Sequence, residues 1–232
     1  MDFIVISAVF ALFFVSISII VGLLLILKYF KSKDKTLLYV GVTWIIIVEA
    51  WMPSAVNLIY MLITKISLSY EIRAIIGNVF IPFGLILWTL VFSELVFKNY
   101  RKLLLIIFSI LCIVFEVILF YAILTDISLI IVIPSHDLNM NYKPLWMIFQ
   151  VIFSIITLVS GLAFSWKSIK HDNPEIKLRG KILFVAFVSF LIGAILGIVD
   201  FPVPGNIVMI TSSIEFYIGY ILPDWVKKRF LK

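Results

Sequence analysis

The chain is poor in charge, in cysteine and in histidine, and each scarcity excludes a class of protein. Only 14% of its 232 residues are charged, against roughly 25% in an ordinary soluble domain. Cys112 is the single cysteine and lies in an apolar run, which excludes a disulfide framework and a cysteine-rich metal site. The two histidines, His136 and His171, lie in loops on opposite sides of the apolar segments, so they cannot share a metal.

The motifs of common enzyme classes are missing as well. There is no Gly-x-Ser-x-Gly turn, no His-Glu-x-x-His zinc motif and no Gly-x-Gly-Asp. The last apolar segment contains no lysine, so a retinal Schiff base cannot form there. We therefore expect no enzyme, no cofactor and no metal, and the net charge of +6 gives no reason to expect nucleic acid as a partner.

Apolar residues are abundant, at 63% of the chain, and the mean hydropathy is +1.20. Clusters of charge separate seven apolar segments, each long enough, or nearly so, to cross a hydrocarbon core about 30 Å thick. A backbone in lipid must satisfy its own hydrogen bonds, and long runs without polar alternation do so as helices. The segments cover residues 3–30, 37–63, 74–97, 103–123, 144–166, 182–199 and 207–222.

These segments predict an all-α membrane protein, a seven-transmembrane-helix bundle over residues 1–223, with the lipid bilayer of a cell membrane as its surroundings. Of the 19 lysines and arginines, 16 fall in one alternate set of connections, and the other set holds only Lys65, Arg73 and Lys143. The positive-inside rule then places the N-terminus outside and the basic, amphipathic tail at 224–232 in the cytoplasm. Asp2 and the long first run favour a retained span over a cleaved signal peptide.

The connections carry further signals. The β-branched run at 127–133, within the outer connection 124–143, allows either an extension of the fourth helix or a small hairpin over the bundle mouth. Asn173 and Pro174 have the pattern of an N-cap and an N1 proline, which predicts that the sixth helix begins before its apolar run. Two prolines within residues 201–206 predict an outer turn.

Five acids lie inside or at the edges of the apolar segments: Glu49, Glu94, Glu116, Asp200 and Glu215. No basic residue is predicted to share the interior with them, and an intramembrane ionisable residue marks a functional site by default. Glu49 and Glu215 fall near mid-depth, and if their helices are neighbours the two carboxyls can face each other and share protons. The alternative is that each acid bonds to backbone and orders helix contacts.

Helical spacing places each mid-depth acid on a face with small or polar neighbours. The two faces are Glu49, Pro53 and Asn57 in the second segment, and Ser212, Glu215 and Gly219 in the seventh. Trp51 lies deep enough to wall a ligand pocket, and Asp200 either lines an entrance or caps the outer turn.

Two stripes of small or polar residues are open to two interpretations. Gln150, Ser154 and Thr157 recur at helical spacing and either line a cavity or form a packing seam. Gly193 and Gly197 form the small-xxx-small pattern of close helix approach. Packing is favoured for both.

Residues 177–181, Lys-Leu-Arg-Gly-Lys, lead into the apolar run 182–199 and then Asp200-Phe201-Pro202. With seven spans and compact loops, this pattern resembles the seven-helix membrane sensor modules of archaeal and bacterial histidine kinases, and stand-alone archaeal proteins of that shape. The resemblance implies a receptor-like sensor. No effector domain follows in this sequence, so we expect output through a cytoplasmic signalling partner on the basic inner loops, or through a homo-oligomer.

Three functions stay open on the sequence. The first is a sensor with an outer-side cavity lined by Glu49, Trp51, Asp200 and Glu215, in which ligand or proton binding shifts the sixth and seventh helices. The second is a proton- or cation-coupled transporter or channel that uses Glu49, Glu116 and Glu215. The third is a membrane assembly or scaffold protein held by the glycine seam.

Overall fold

The computed structural model describes residues 3–95, 97–132, 140–199 and 201–231. Within them the chain is almost entirely helical, as predicted. The α-helices are α1 (Phe3–Ser32), α2 (Lys35–Ile47), α3 (Met52–Thr64), α4 (Tyr70–Asn78), α5 (Ile81–Leu95), α6 (Arg101–Thr125), α7 (Pro144–Ile169), α8 (Pro174–Ile198), α9 (Pro202–Ile221) and α10 (Asp224–Phe230). Short 3-10 helices cover Val48–Trp51, Lys98–Tyr100 and Ile127–Leu129, and two strands are β1 (Ile131–Val132) and β2 (Asn141–Tyr142).

Six helical stretches among the described residues are long and apolar enough to cross a membrane. Helix α9 makes a seventh candidate together with α10, which turns away from it by 84°. The outer surface is as apolar as the interior: on α6, Ile110, Ile113 and Val117 are 58%, 62% and 62% exposed. Soluble monomers rarely expose continuous apolar surface, so the fold is typical of a membrane protein.

Helix α1 lies against α2, α3 and α9, α8 lies between α7 and α9, and α5 contacts α2, α6 and α7. The order around the bundle is therefore α2, α1, α9, α8, α7 and α5. Because α1 stands between α2 and α9, the second and seventh segments meet through long side chains at the centre, where the Trp44 and Phe216 rings are 4.1 Å apart.

The second and third predicted spans are each interrupted. The 3-10 helix Val48–Trp51 separates α2 from α3, and Pro53 stands in the first turn of α3. In the third span, α4 ends at Asn78 and α5 begins at Ile81, with Pro82 as its second residue. Both prolines occupy helix starts, where the missing N–H removes no helical hydrogen bond.

The predicted glycine seam is real but is formed by a different pair. A Cβ on Gly205 would lie 2.8 Å from the carbonyl oxygen of Gly193, and a Cβ on Gly193 would lie 2.9 Å from that of Gly205. A Cβ on Gly197 would meet nothing within 4 Å. The backbones of α8 and α9 thus touch at Gly193 and Gly205, and the absence of a side chain at Gly197 is not needed for this contact.

The start of the sixth helix was predicted correctly and the outer turn before α9 was not. Asn173 Oδ1 accepts hydrogen bonds from the N–H groups of Glu175 and Ile176, at 2.8 and 3.3 Å. Pro202 begins α9, so residues 202–206 are helical rather than a turn. A proline at this position favours the helix because its fixed φ suits the first turn.

The basic end of the bundle is tied together by charged side chains. Lys28 Nζ donates to Ile221 O (2.7 Å) and Arg179 Nη1 donates to Tyr220 O (2.6 Å), so cations from α1 and α8 bind the last carbonyls of α9. The Glu175 carboxylate lies 3.0 Å from both Arg179 Nη2 and Lys227 Nζ. Lys227 belongs to α10, which forms directly after Pro223 as the tail pattern predicts.

The outer connection contains a hairpin and not an extended helix. Helix α6 ends at Thr125, and β1 pairs antiparallel with β2, with Ile131 opposite Tyr142. Ile130 and Ile131 are 2% and 1% exposed, packed with the aromatic side chains between α6 and α7. Residues 133–139 lie outside the described part of this hairpin.

Candidate functional site

A cavity of about 70 Å³ lies between α2, α5, α7 and α8, beside the 3-10 helix that interrupts the second span. A water molecule occupies roughly 30 Å³ of liquid, so the cavity is large enough for a few waters or a short alkyl group. Its wall is mainly apolar, with four side chains that carry a hydroxyl or an amide. The lining residues are Thr43, Ile46, Ile47, Ala50, Trp51, Ile81, Gly84, Leu85, Gln150, Phe153, Ser154, Thr157 and Phe190.

One hydroxyl beside the cavity is buried and unpaired within the described part of the chain. Thr157 Oγ1 donates to Phe153 O (3.0 Å) and Ser154 Oγ donates to Gln150 O (2.9 Å). Thr43 is 4% exposed, and its Oγ1 has no hydrogen-bond partner among the described residues. An unpaired buried hydroxyl costs about 1–3 kcal/mol. A ligand whose polar group bonded to Thr43 Oγ1 would recover part of this free energy on binding.

The cavity opens at the side of the bundle. Ser154 follows the start of α7 by ten residues, about 15 Å of helical rise, yet it is exposed. Its neighbours Val151 and Ile155 are 40% and 53% exposed. If the bundle spans a bilayer, the opening therefore lies at the depth of the acyl chains.

Asn78, at the end of α4, connects the cavity to the hairpin. Its amide nitrogen donates to Tyr142 Oη and to Ala74 O, both at 2.8 Å. Its amide oxygen accepts from Trp146 Nε1 (3.2 Å) and Gln150 Nε2 (3.0 Å). Gln150 also lines the cavity, so one buried amide joins the hairpin, α7 and the cavity wall.

Trp146 and Arg73, near Asn78, are both more buried than their positions in the sequence suggest. Trp146 has the position of an interfacial anchor, yet it is 2% exposed and stacks on Phe115 with ring centroids 4.3 Å apart. Arg73, counted in an outer connection, lies in α4 because that helix begins at Tyr70, and it is 1% exposed. Its guanidinium sits 4.3 Å from the Tyr70 ring centroid. A basic residue therefore does share the interior, contrary to prediction.

Tyr142 itself remains a neutral phenol. Burial raises its pKa to about 12, with a smaller opposing effect from the hydrogen bond of Asn78. A phenol that does not ionise near neutral pH serves the hairpin as a constant hydrogen-bond partner.

Glu49 is 2% exposed and binds a helix end. Its Oε1 accepts from the backbone N–H of Phe80 (2.9 Å), just before α5 begins. A carboxylate at a helix N-terminus is favourable because the free N–H groups and the helix dipole point toward it. The other members of its face also contact α4 or its flanks: Pro53 lies against Gly77, and Asn57 Oδ1 accepts from Leu68 N (2.9 Å).

Glu215 lies on another interface. On its face, Ser212 Oγ donates to Ala186 O (2.9 Å), and Gly219 packs against Leu183, so this face of α9 lies along α8. Oε2 of Glu49 and Oε2 of Glu215 both lack a hydrogen-bond partner among the described residues. The predicted facing of the two acids has no support in these contacts, because Glu49 binds the start of α5 and the face that carries Glu215 lies along α8.

Glu116 stands one turn along α6 from Cys112, whose Sγ donates to Pro82 O (3.5 Å) at the start of α5. Both Glu116 carboxyl oxygens are buried without a hydrogen-bond partner in the described part of the chain. The position of Glu116 on α6 therefore puts it one turn from a contact with the helix whose start Glu49 binds.

The other residues predicted for the site do not share one location among the described residues. Trp51 lines the cavity and meets the Phe14 ring edge-on at 5.2 Å. Asp200 lies outside the described residues. Glu94 lies at the basic end of the bundle, 63% exposed, with its Oε2 3.8 Å from Arg101 Nη1.

Aromatic side chains fill the bundle below the cavity, toward its basic end. Phe216 contacts Trp44 at 4.1 Å and Phe187 at 4.7 Å between ring centroids, and Trp44 lies 6.0 Å from Phe190. All four are buried, at 6% exposure or less. These rings reduce the space below the cavity to a void of about 10 Å³.

Comparisons of the chain with protein families, with curated proteins and with solved structures gave no significant match. The fold and the cavity alone define the class: an all-α bundle of long apolar helices with a small cavity that opens at its side. Sequence reasoning missed Thr43 and Asn78, although an amide inside the apolar run 74–97 was a usable signal for Asn78. Nothing in the sequence distinguishes Thr43 from other isolated threonines.

Proposed function

We propose that the protein is a receptor-like membrane protein that binds a small, mostly apolar and uncharged ligand in the cavity between α2, α5, α7 and α8. The main support for this proposal is the cavity itself, with its apolar wall, the unpartnered hydroxyl of Thr43 beside it and the side opening at Ser154. Ligand pockets in general combine apolar lining with a few placed polar groups. A ligand dissolved in the bilayer would reach this opening without entering water.

The membrane placement is part of the proposal. We infer seven crossings of a cell membrane, with the N-terminus outside and the tail inside. The seventh crossing is supported by α9 taken with α10. The orientation is supported by the 16 to 3 division of the lysines and arginines.

The cavity has a direct connection to the hairpin through Gln150. Its amide lines the cavity and donates to Asn78, which also bonds Tyr142 of β2. A ligand that takes over the Gln150 amide would remove one of the hydrogen bonds of Asn78 and loosen the hairpin. Output to a cytoplasmic partner or a second copy would then use the exposed cations of the inner connections, such as Lys31, Lys170 and Lys177.

A photoactivatable octanol with its diazirine beside the hydroxyl end tests the proposal in nanodiscs, because a cavity of about 70 Å³ admits that end while the rest of the chain would lie in the side opening. We expect cross-links on cavity residues such as Ile47 and Phe153, at higher yield than on the outward-facing Ile113 of α6. Ala50→Phe fills the cavity and should abolish the excess, while Ser154→Ala leaves its volume and serves as the control. Thr43→Val should weaken octanol binding about fivefold, the effect of one hydrogen bond near 1 kcal/mol. Equal yields on cavity and outward positions would contradict the proposal.

A proton or cation transporter is the second candidate, favoured by one observation. Glu49 and Glu116 together have three buried carboxyl oxygens without a hydrogen-bond partner among the described residues. The aromatic cluster below the cavity argues against a continuous path. The measurement is the flux of protons or cations into liposomes that contain the protein. If the protein is a transporter, Glu49→Gln or Glu116→Gln should abolish this flux, and Glu215→Gln tests the third predicted acid. An intact protein that passes neither protons nor cations removes this candidate.

A further inference from the structure

A second feature of the surface lies at the basic end of α6, away from the cavity. A shallow, open groove runs from the 3-10 helix Lys98–Tyr100 along one face of α6. The lining residues are Lys98, Asn99, Arg101, Lys102, Leu105, Ile106, Ser109 and Ile110.

The groove has a cationic end and an apolar end. Lys98, Arg101 and Lys102 surround the end at the helix start, and the apolar residues follow along α6. Ile106 and Ile110 are 48% and 58% exposed. A ligand that fills the groove must therefore carry negative charge at one end and an apolar chain at the other.

The cations of the groove are only partly neutralised by the protein. Arg101 Nη1 lies 3.8 Å from Glu94 Oε2, an exposed and loose ion pair. Lys98 and Lys102 form no ion pair within the part of the chain that the structure describes. Two lysines and part of an arginine remain available for an anion.

We propose that this groove binds one anionic phospholipid, with its phosphate among Lys98, Arg101 and Lys102 and an acyl chain along Leu105, Ile106 and Ile110. Charge complementarity and the order of the two ends support this occupant over a free phosphate, which would use only the cationic end. Basic pockets at the inner surface of membrane proteins bind anionic headgroups in the same way. The proposal needs a membrane around α6 and is independent of what the cavity binds.

Native mass spectrometry of the chain released from nanodiscs of phosphatidylcholine and phosphatidylglycerol tests the groove. We expect one retained phosphatidylglycerol, and we expect its preference over phosphatidylcholine to fall by about thirtyfold in Lys98→Gln/Lys102→Gln, from about 1 kcal/mol per lysine. Lys31→Gln/Lys33→Gln removes the same charge from an exposed connection at the same end. This variant should leave the preference for phosphatidylglycerol unchanged. Equal losses in the two double variants would show general surface attraction and overturn the proposal.

Two further arms separate a lipid site from a phosphate site. Ser109→Trp fills the groove without changing its charge, and it should also lose the retained lipid if the acyl chain lies there. Water-soluble glycerophosphate should not displace the lipid at equal concentration. Retention in Ser109→Trp, or displacement by glycerophosphate, would mean that the cations bind phosphate alone.

Discussion

Glu49 shows how a buried carboxyl serves as a hydrogen-bond acceptor for the backbone of another helix. Its Oε1 binds the N–H of Phe80 at the start of α5, where the ends of two interrupted spans meet. In a membrane that N–H has no water to bind, so the protein must supply an acceptor. The acid at this position has a structural role that is independent of proton transfer.

Two substitutions of Glu49 distinguish its role as a hydrogen-bond acceptor from the role of its charge. Glu49→Gln keeps an acceptor oxygen, so we expect the free energy of unfolding to change by less than about 1 kcal/mol. Glu49→Ala leaves the Phe80 N–H unpaired and should cost about 1–3 kcal/mol. Unfolding in mixed micelles by SDS titration measures both. If the glutamine variant loses as much as the alanine variant, the charge or the proton of Glu49 is required, and the capping role is insufficient.

At the scale of the helix, one glycine decides how closely α8 and α9 approach. Gly205→Ala would place a methyl group 2.8 Å from the carbonyl oxygen of Gly193, and neither backbone can move away easily. We expect a loss of about 1–3 kcal/mol, as for other overpacked contacts.

Gly197→Ala is the matched control for this seam, four residues from Gly193 on the same helix. It meets open space, and alanine is a better helix former than glycine by about 1 kcal/mol, so the variant should be neutral or more stable. Thermal unfolding of both variants in the same detergent compares them. A Gly197→Ala loss that equals the Gly205→Ala loss would contradict the observed packing.

Helix α10 is attached through a carboxylate of another element. Glu175 of α8 bridges Arg179 and Lys227, and α10 otherwise turns away from α9. We expect Glu175→Gln to increase the mobility of a spin label at Lys228→Cys, introduced with Cys112→Ala. Asp224→Asn also removes one acid near α10 but forms no ion pair among the described residues, so it should leave the spectrum unchanged. An immobile label in both variants would show that apolar contacts of Val226, 2% exposed, hold α10 alone.

For the whole molecule, the number of crossings can be measured with three single cysteines in intact cells. Ile66→Cys, between α3 and α4, should react with an impermeant maleimide from outside. Asp172→Cys and Lys228→Cys should react only after permeabilisation, since the charge asymmetry predicts that both lie inside. Labelling of Lys228→Cys from outside would mean six crossings, with α9 not spanning, and an inverted pattern at all three sites would reverse the orientation.

Much of the architecture could be predicted from local sequence, because each signal acts within one segment. Long apolar runs predicted the helices, and Asn173 with Pro174 predicted the start of α8, since a cap needs only its own next residues. The β-branched run allowed the hairpin but also a longer helix, and pairing with residues 141–142 decided between them. The site was less predictable: Trp51 lies in the cavity wall, whereas Glu49 points to α5.

The sequence by itself determined that this chain is helical and apolar over lengths that suit a bilayer, and that its cations gather on alternate connections. Only the tertiary structure decided which faces meet. A 3-10 turn advances by about 120° per residue and an α-helix by about 100°, so the four residues Val48–Trp51 rotate α3 relative to α2 by roughly 80°. That rotation sets the face of α3 alone. Glu49 is directed to α5 by its contact with Phe80, Glu215 lies on the face of α9 that follows α8, and the side chains of α2, α5, α7 and α8 leave a cavity walled by hydroxyl, amide and apolar groups.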